Sequence, residues 1–203
     1  MNKGRWTQLM QALELPLSES TYAKLVDAYR EPHRHYHTTL HIEDCLSKLD
    51  QLRARASRPD EIELAIWFHD AIYQPYKSRN EEKSADWAAR FLGEIGASEG
   101  LIARVRDLIL ATRHEAVATD RDSAILIDVD LWILGSDAGH FLQFEQQVRS
   151  EYRWIPGVIY RRERRKILGQ FLARDRIFTT DEFFSRYEAR ARMNIEEAIR
   201  NLT

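Results

Sequence analysis

The sequence predicts an all-α protein, a single-domain helical bundle over residues 1–203. Apolar residues recur at three- and four-residue spacing through most of the chain, the period of a helix with one buried face. Eight glycines and five prolines are all the strong backbone punctuation in 203 residues. No Asn-Gly or Asp-Gly pair marks a β-hairpin. A chain of this length can bury a substantial core as one domain.

The pattern places a first helix at Arg5–Leu15 and a second at Ser20–Arg30, where Tyr22, Leu25, Val26 and Tyr29 form a stripe and Pro32 follows as a stop. A short polar segment, His33–Leu40, precedes a helix at His41–Ala56. Pro59 followed by two acids reads as a helix start, with the helix running to about Tyr73. Gln74–Asn80 is a loop. Glu81–Ile95, Leu101–Ala111 and Asp122–Leu134 are helices, the last two separated by a polar loop over 113–121. Ser136 is placed to cap a helix through Phe141, Phe144 and Val148. Pro156-Gly157 breaks the chain before Val158–Ala173. Thr179 with Glu182 three residues on reads as a capping box for a helix from Thr180 to the C-terminus.

Composition narrows the function. Lys plus Arg (30) nearly balances Asp plus Glu (32), so no overall field draws the chain to nucleic acid or to a membrane surface. The single cysteine, Cys45, excludes an internal disulfide framework and suits a reducing compartment. No apolar run reaches the roughly 18–20 residues that span a bilayer. The first ten residues lack the apolar core of a signal peptide. The expectation is a soluble cytoplasmic protein.

Chemistry concentrates in Glu61–Tyr73, reading E-I-E-L-A-I-W-F-H-D-A-I-Y. Its apolar residues predict burial, and His69 and Asp70 would lose their water there unless something pairs with them. A metal ion is one such partner; hydrogen bonds to nearby backbone are the alternative. Upstream, Tyr36-His37-Thr38-Thr39-Leu40-His41 sets His37 and His41 four apart, on one face if helical. A short turn near Ser57-Arg58 implies antiparallel neighbouring helices. His41 lies sixteen residues before that turn and His69 twelve after it, an axial mismatch of about 6 Å. Both histidines therefore come to the same end of the hairpin. Ile125–Leu134 supplies two further acids in an apolar run, Asp128 and Asp130. They point about 200° apart on a helix, and periodicity does not choose between them.

The order His41, His69-Asp70 and a distant aspartate resembles the HD superfamily, all-helical metal-dependent phosphohydrolases. Y-H-T-T-L-H-I (Tyr36–Ile42) is similar to the Y-H-N-x-x-H-A motif of the related cyclic-nucleotide phosphodiesterases. W-F-H-D-A-I-Y (Trp67–Tyr73) followed by N-E-E-K-S-A (Asn80–Ala85) is similar to bacterial proteins predicted to be HD phosphohydrolases. That similarity extends through Ile127–Gly135 and Arg165–Arg174. It implies the HD fold, with His41, His69, Asp70 and Asp130 as ligands of one divalent ion, Asp130 being preferred to Asp128, and His37 as general acid.

Other side chains complete the expected site. Glu81 or Glu82 would orient or deprotonate the attacking water, with helix N-terminal charge as the alternative. Lys77, Arg79 and Arg113 are the phosphate-binding candidates. His114 is a candidate for substrate contact or a second metal, a capped helix end being the alternative. Two imidazoles and two carboxylates suit Mn, Fe, Co, Ni, Zn or Mg. His33, His35 and His140 read as surface residues and Cys45 as core packing. The Arg161–Lys166 cluster reads as a solvated face or a steering patch for anions. The expected activity is hydrolysis of a small phosphorylated compound, a nucleotide or related phosphoester. The alternatives are an HD-fold di-iron oxygenase drawing on His37 and His114, and a non-catalytic nucleotide sensor.

Overall fold

The structure, a computed structural model, describes residues 1–114, 118 and 120–202. These residues form ten α-helices and two short 3-10 segments, with no strand among them. The all-α expectation holds. The chain divides into two compact units, Met1–Ile127 and Asp128–Thr203.

The first unit begins with α1 (Lys3–Ala12), capped by Asn2, and α2 (Glu19–Ala28), capped by Ser18. Both start earlier than periodicity alone placed them, because the cap side chains accept the Arg5 and Thr21 amides. α3 (Thr39–Leu52) is capped by Thr38 and tightens into a 3-10 turn at Arg53–Arg55. α4 (Pro59–Phe68) is the central helix, with every residue from Glu61 to Phe68 buried. Its two buried acids are held by arginines: Glu61 by Arg104, at 2.7 Å to each oxygen, and Glu63 by Arg5 and Arg53. Paired in this way, they avoid the cost of lone buried charges. Trp6, Trp67, Phe68 and Phe91 pack edge-on and stacked around α4.

α4 ends at Phe68 and not at Tyr73. Beyond it, side chains from elsewhere satisfy the backbone. Arg34 donates to the carbonyls of Asp70 (2.7 Å) and Ala71 (3.1 Å). Ser84 Oγ accepts the Ile72 amide and Asn80 Oδ1 accepts the Gln74 amide. These partners take up backbone groups that the helix no longer pairs. α5 (Asn80–Glu94) and α6 (Glu99–Ala111) follow. The polar loop read over 113–121 lies partly outside the described residues, at 115–117 and 119. α7 (Arg121–Leu131) runs through the boundary between the units.

In the second unit, a 3-10 turn at Trp132–Gly135 continues α7, where a longer helix was expected. α8 (Ala138–Glu151) is capped by Asp137, not Ser136; the Ser136 hydroxyl instead donates to Ile133 O. α9 (Gly157–Leu172) and α10 (Asp181–Asn201) complete the unit. The α10 cap is Thr180, not Thr179, so the expected box with Glu182 does not form. Asp128 decides this: fully buried, it accepts the Thr179 amide (2.8 Å), the Thr180 amide (2.7 Å) and the Thr180 hydroxyl (2.6 Å). Burial pushes its carboxyl up to about 6, against the pull of these donors. Gly135 meets α10 closely: a Cβ there would stand 2.7 Å from the Tyr187 carbonyl oxygen.

Candidate metal centre

His41 sits in the first turn of α3 and His69 at the C-terminus of α4, both buried. The helical hairpin brings their rings together as the spacing predicted: the two Nε2 atoms are 3.1 Å apart. Asp70 Oδ2 lies 3.1 Å from His69 Nε2 and 3.5 Å from His41 Nε2. Three potential donor atoms thus converge at the end of the hairpin.

The hydrogen bonding of His69 sharpens this. Its Nδ1 stands 2.9 Å from the Ile66 carbonyl oxygen, which can only accept, so Nδ1 carries the proton. In neutral His69, Nε2 is then a bare lone pair, facing a carboxylate oxygen and a second imidazole nitrogen. Two acceptors so placed repel unless a proton or a cation stands between them. The spacing suits a cation. With ligand bonds of about 2.1 Å, neighbouring ligand atoms lie about 3.0 Å apart at right angles and about 3.4 Å apart at tetrahedral angles. The residues fit a divalent ion, and His41, His69 and Asp70 form a candidate His/Asp metal-binding cluster within the first unit.

Burial alone would raise the Asp70 carboxyl, but His69, His37 and His41 outweigh it and hold the group well below the usual carboxylate range. Asp70 is therefore ionised at neutral pH. Cys45 is buried as expected, and its Sγ also touches the His41 ring, 3.7 Å from Nδ1.

The His37 ring stacks on Tyr73 with centroids 4.1 Å apart and stands 5.8 Å from the His41 ring. Glu81, at the start of α5, is half-buried. Burial raises its carboxyl, its own backbone amide pulls it down, and the charges of Asp70 and Glu82 add to the rise. Glu82 is differently placed, ion-paired with Arg113 and, at 3.4 Å, with Arg79. Two of the phosphate-binding candidates therefore gather around Glu82. Lys77 stands exposed, its Nζ 5.6 Å from the Tyr76 ring centroid. Arg79 and His114 both take left-handed backbone, with φ of 70° and 57°. His140 is exposed beside Asp137. His33 and His35 are half-buried; the His33 side chain keeps 39% exposure while its Nε2 bonds Tyr73 O at 2.8 Å.

Of the two acids on α7, Asp128 is committed to the start of α10, whereas Asp130 is half-buried two residues further on.

Arg34 was not expected. Its guanidinium, fully buried, donates to the carbonyls of His37, Asp70 and Ala71, pairs with Glu31, and lies over the rings of Tyr29 and Tyr73. One side chain thus ties the segment carrying His37 to the segment carrying Asp70. The sequence shows only an arginine between two histidines after Pro32, with no periodicity to mark it.

Family models, curated proteins and solved structures give no match to the chain. Among the described residues no helix is long and apolar enough to cross a membrane.

Proposed function

We propose that the chain is a metal-dependent hydrolase of a small phosphorylated compound, a nucleotide or related phosphoester. The observation that carries the metal is the meeting of His41 Nε2, His69 Nε2 and Asp70 Oδ2 within 3.1–3.5 Å. The reaction class rests on the resemblance of this motif order to HD phosphohydrolases. Asp130 is the fourth ligand in this reading, since Asp128 is already spent on the Thr179 and Thr180 donors.

A bound divalent ion would neutralise charge on a phosphoryl oxygen and lower the pKa of water. The protein's own groups do the rest. Glu81 takes the proton from the attacking water, its raised carboxyl bringing it nearer the working pH than an ordinary glutamate. His37, held against Tyr73, protonates the leaving oxygen. Arg79, Arg113 and Lys77 meet the phosphate, with Glu82 holding the first two when no substrate is present.

The test is a screen of phosphorylated metabolites against protein loaded in turn with Mn, Co, Ni, Mg and Zn, beside Asp70→Ala. Release of phosphate or nucleoside by wild type and not by Asp70→Ala is the expected result. Inactivity with every metal would overturn the hydrolase reading. Two irons per chain with no phosphatase activity would replace it with the oxygenase.

A further inference from the structure

The Arg161–Lys166 cluster has no part in the metal chemistry and lies wholly within the second unit. α9 packs on that unit through one row of side chains, Tyr160, Arg164 and Leu168, four residues apart and so stacked on one face. Tyr160 and Leu168 are buried, and Arg164 is held by Glu145 of α8, with its guanidinium 5.3 Å from the Phe144 ring centroid. The row Val158, Arg162, Lys166 is offset from it by two residues, about 200° round the helix. All three are exposed, as are Ile159 and Arg165 beside them.

This outward face has two parts. At its start three large apolar side chains stand within six positions: Trp154 at 55% exposure, Val158 at 73% and Ile159 at 46%. Single exposed apolar residues are ordinary, but a group of this kind marks a contact surface. The turn carrying Trp154 is fixed, because Arg149 donates to Tyr152 O at 2.6 Å and to Ile155 O at 3.1 Å. Behind the apolar end the face is cationic. Arg153 to Lys166 holds six cations and one acid, in a chain whose 30 cations nearly balance 32 acids. Glu163 is paired with Arg162 at 2.8 Å and Arg164 with Glu145. Arg153, Arg161, Arg165 and Lys166 remain as a local surplus of positive charge, all exposed.

The occupant has to accept both parts. A nucleic acid would meet the cations and leave Val158 and Ile159 in water. An anionic bilayer takes both, since phosphates stand at its surface and the acyl boundary lies just beneath, the depth that tryptophan favours. Apolar insertion beside a polybasic patch is the two-signal arrangement that holds a protein on such a surface. We propose that the outer face of α9 docks on an anionic lipid surface. Trp154, Val158 and Ile159 enter the interface, and Arg153, Arg161, Arg162, Arg165 and Lys166 meet the lipid phosphates. None of these groups is a metal ligand or a phosphate-binding candidate, so the surface is independent of the proposed hydrolase activity.

Cosedimentation of the full chain with vesicles of phosphatidylglycerol and phosphatidylcholine in equal parts tests this, beside vesicles of phosphatidylcholine alone and a short DNA duplex. Anionic vesicles bind at least about tenfold more tightly than neutral ones, and the binding weakens as salt rises. Tryptophan emission moves to the blue on binding, and the shift shrinks in Trp154→Phe. Arg162→Gln combined with Lys166→Gln weakens binding by about 10- to 30-fold, and Val158→Ser by about three- to tenfold, with circular dichroism unchanged in each. Absence of vesicle binding, or equal binding to both kinds of vesicle, overturns the proposal. So does wild-type affinity in these variants, which moves the contact to another face. Binding of the duplex without binding of vesicles gives the face to nucleic acid instead.

Discussion

The Arg34 guanidinium donates to the backbone carbonyl of Asp70 at 2.7 Å, the shortest of its three bonds to main-chain oxygen. A charged side chain buried to hold backbone is costly to remove, because the carbonyls it leaves behind cannot reach water. Arg34→Ala should lower stability by about 2–4 kcal/mol in urea melts of the metal-free protein. Arg34→Lys, with a point charge in place of a planar fork, should recover less than half of the loss. Metal affinity in Arg34→Lys should fall by about 10- to 100-fold, as for other groups that orient a ligand. Unchanged affinity would show that Arg34 holds the fold and not the site.

Loss of one donor should abolish tight metal binding. His69→Ala and Asp70→Ala, purified as wild type, should carry little divalent metal by elemental analysis. Ligand linkage makes a second readout. Metal at a hundredfold over its Kd stabilises wild type by about 2.7 kcal/mol and should leave either variant's unfolding midpoint unmoved. Equal metal content in His69→Ala and wild type would remove the basis of the centre.

The two acids of α7 should separate cleanly. Asp128→Ala frees the Thr179 and Thr180 donors and should cost about 2–3 kcal/mol, while leaving metal content intact. Asp130→Ala should do the reverse, with small loss of stability and large loss of metal. An exchange of these outcomes would move the ligand to Asp128.

Gly135→Ala places a methyl against the Tyr187 main chain, 2.7 Å from its carbonyl oxygen. Backbone yields less readily than a side-chain tip, so the substitution should destabilise the protein by about 1–3 kcal/mol in denaturant melts. A neutral effect would mean that the 3-10 turn and α10 shift apart freely.

The helices were legible in the sequence because each buries one stripe, and a stripe has a period. The His41–His69 meeting was legible too, since it follows from counting residues along a hairpin. What escaped depends on distant partners. Thr180 caps α10 in place of Thr179 because Asp128, some fifty residues earlier, takes the amides of both. α4 stops at Phe68 because Arg34, Ser84 and Asn80 receive the next stretch of backbone. Periodicity could not separate Asp128 from Asp130, since the buried stripe lies between them; that Asp128 holds the Thr179 and Thr180 donors is visible only in the structure. Arg34 belongs to no stripe and left no signal.

The early end of α4 has one more effect. Had the helix continued, the Ile66 carbonyl would take the Asp70 amide in the regular ladder. Because it stops, that oxygen is left to the His69 imidazole. The tautomer of His69 is thus set by main chain, which no single substitution can delete. The site is instead exposed to winding: a change at residues 69–72 that rebuilt the next helical turn would bring the Asp70 amide into competition with the imidazole for that one oxygen.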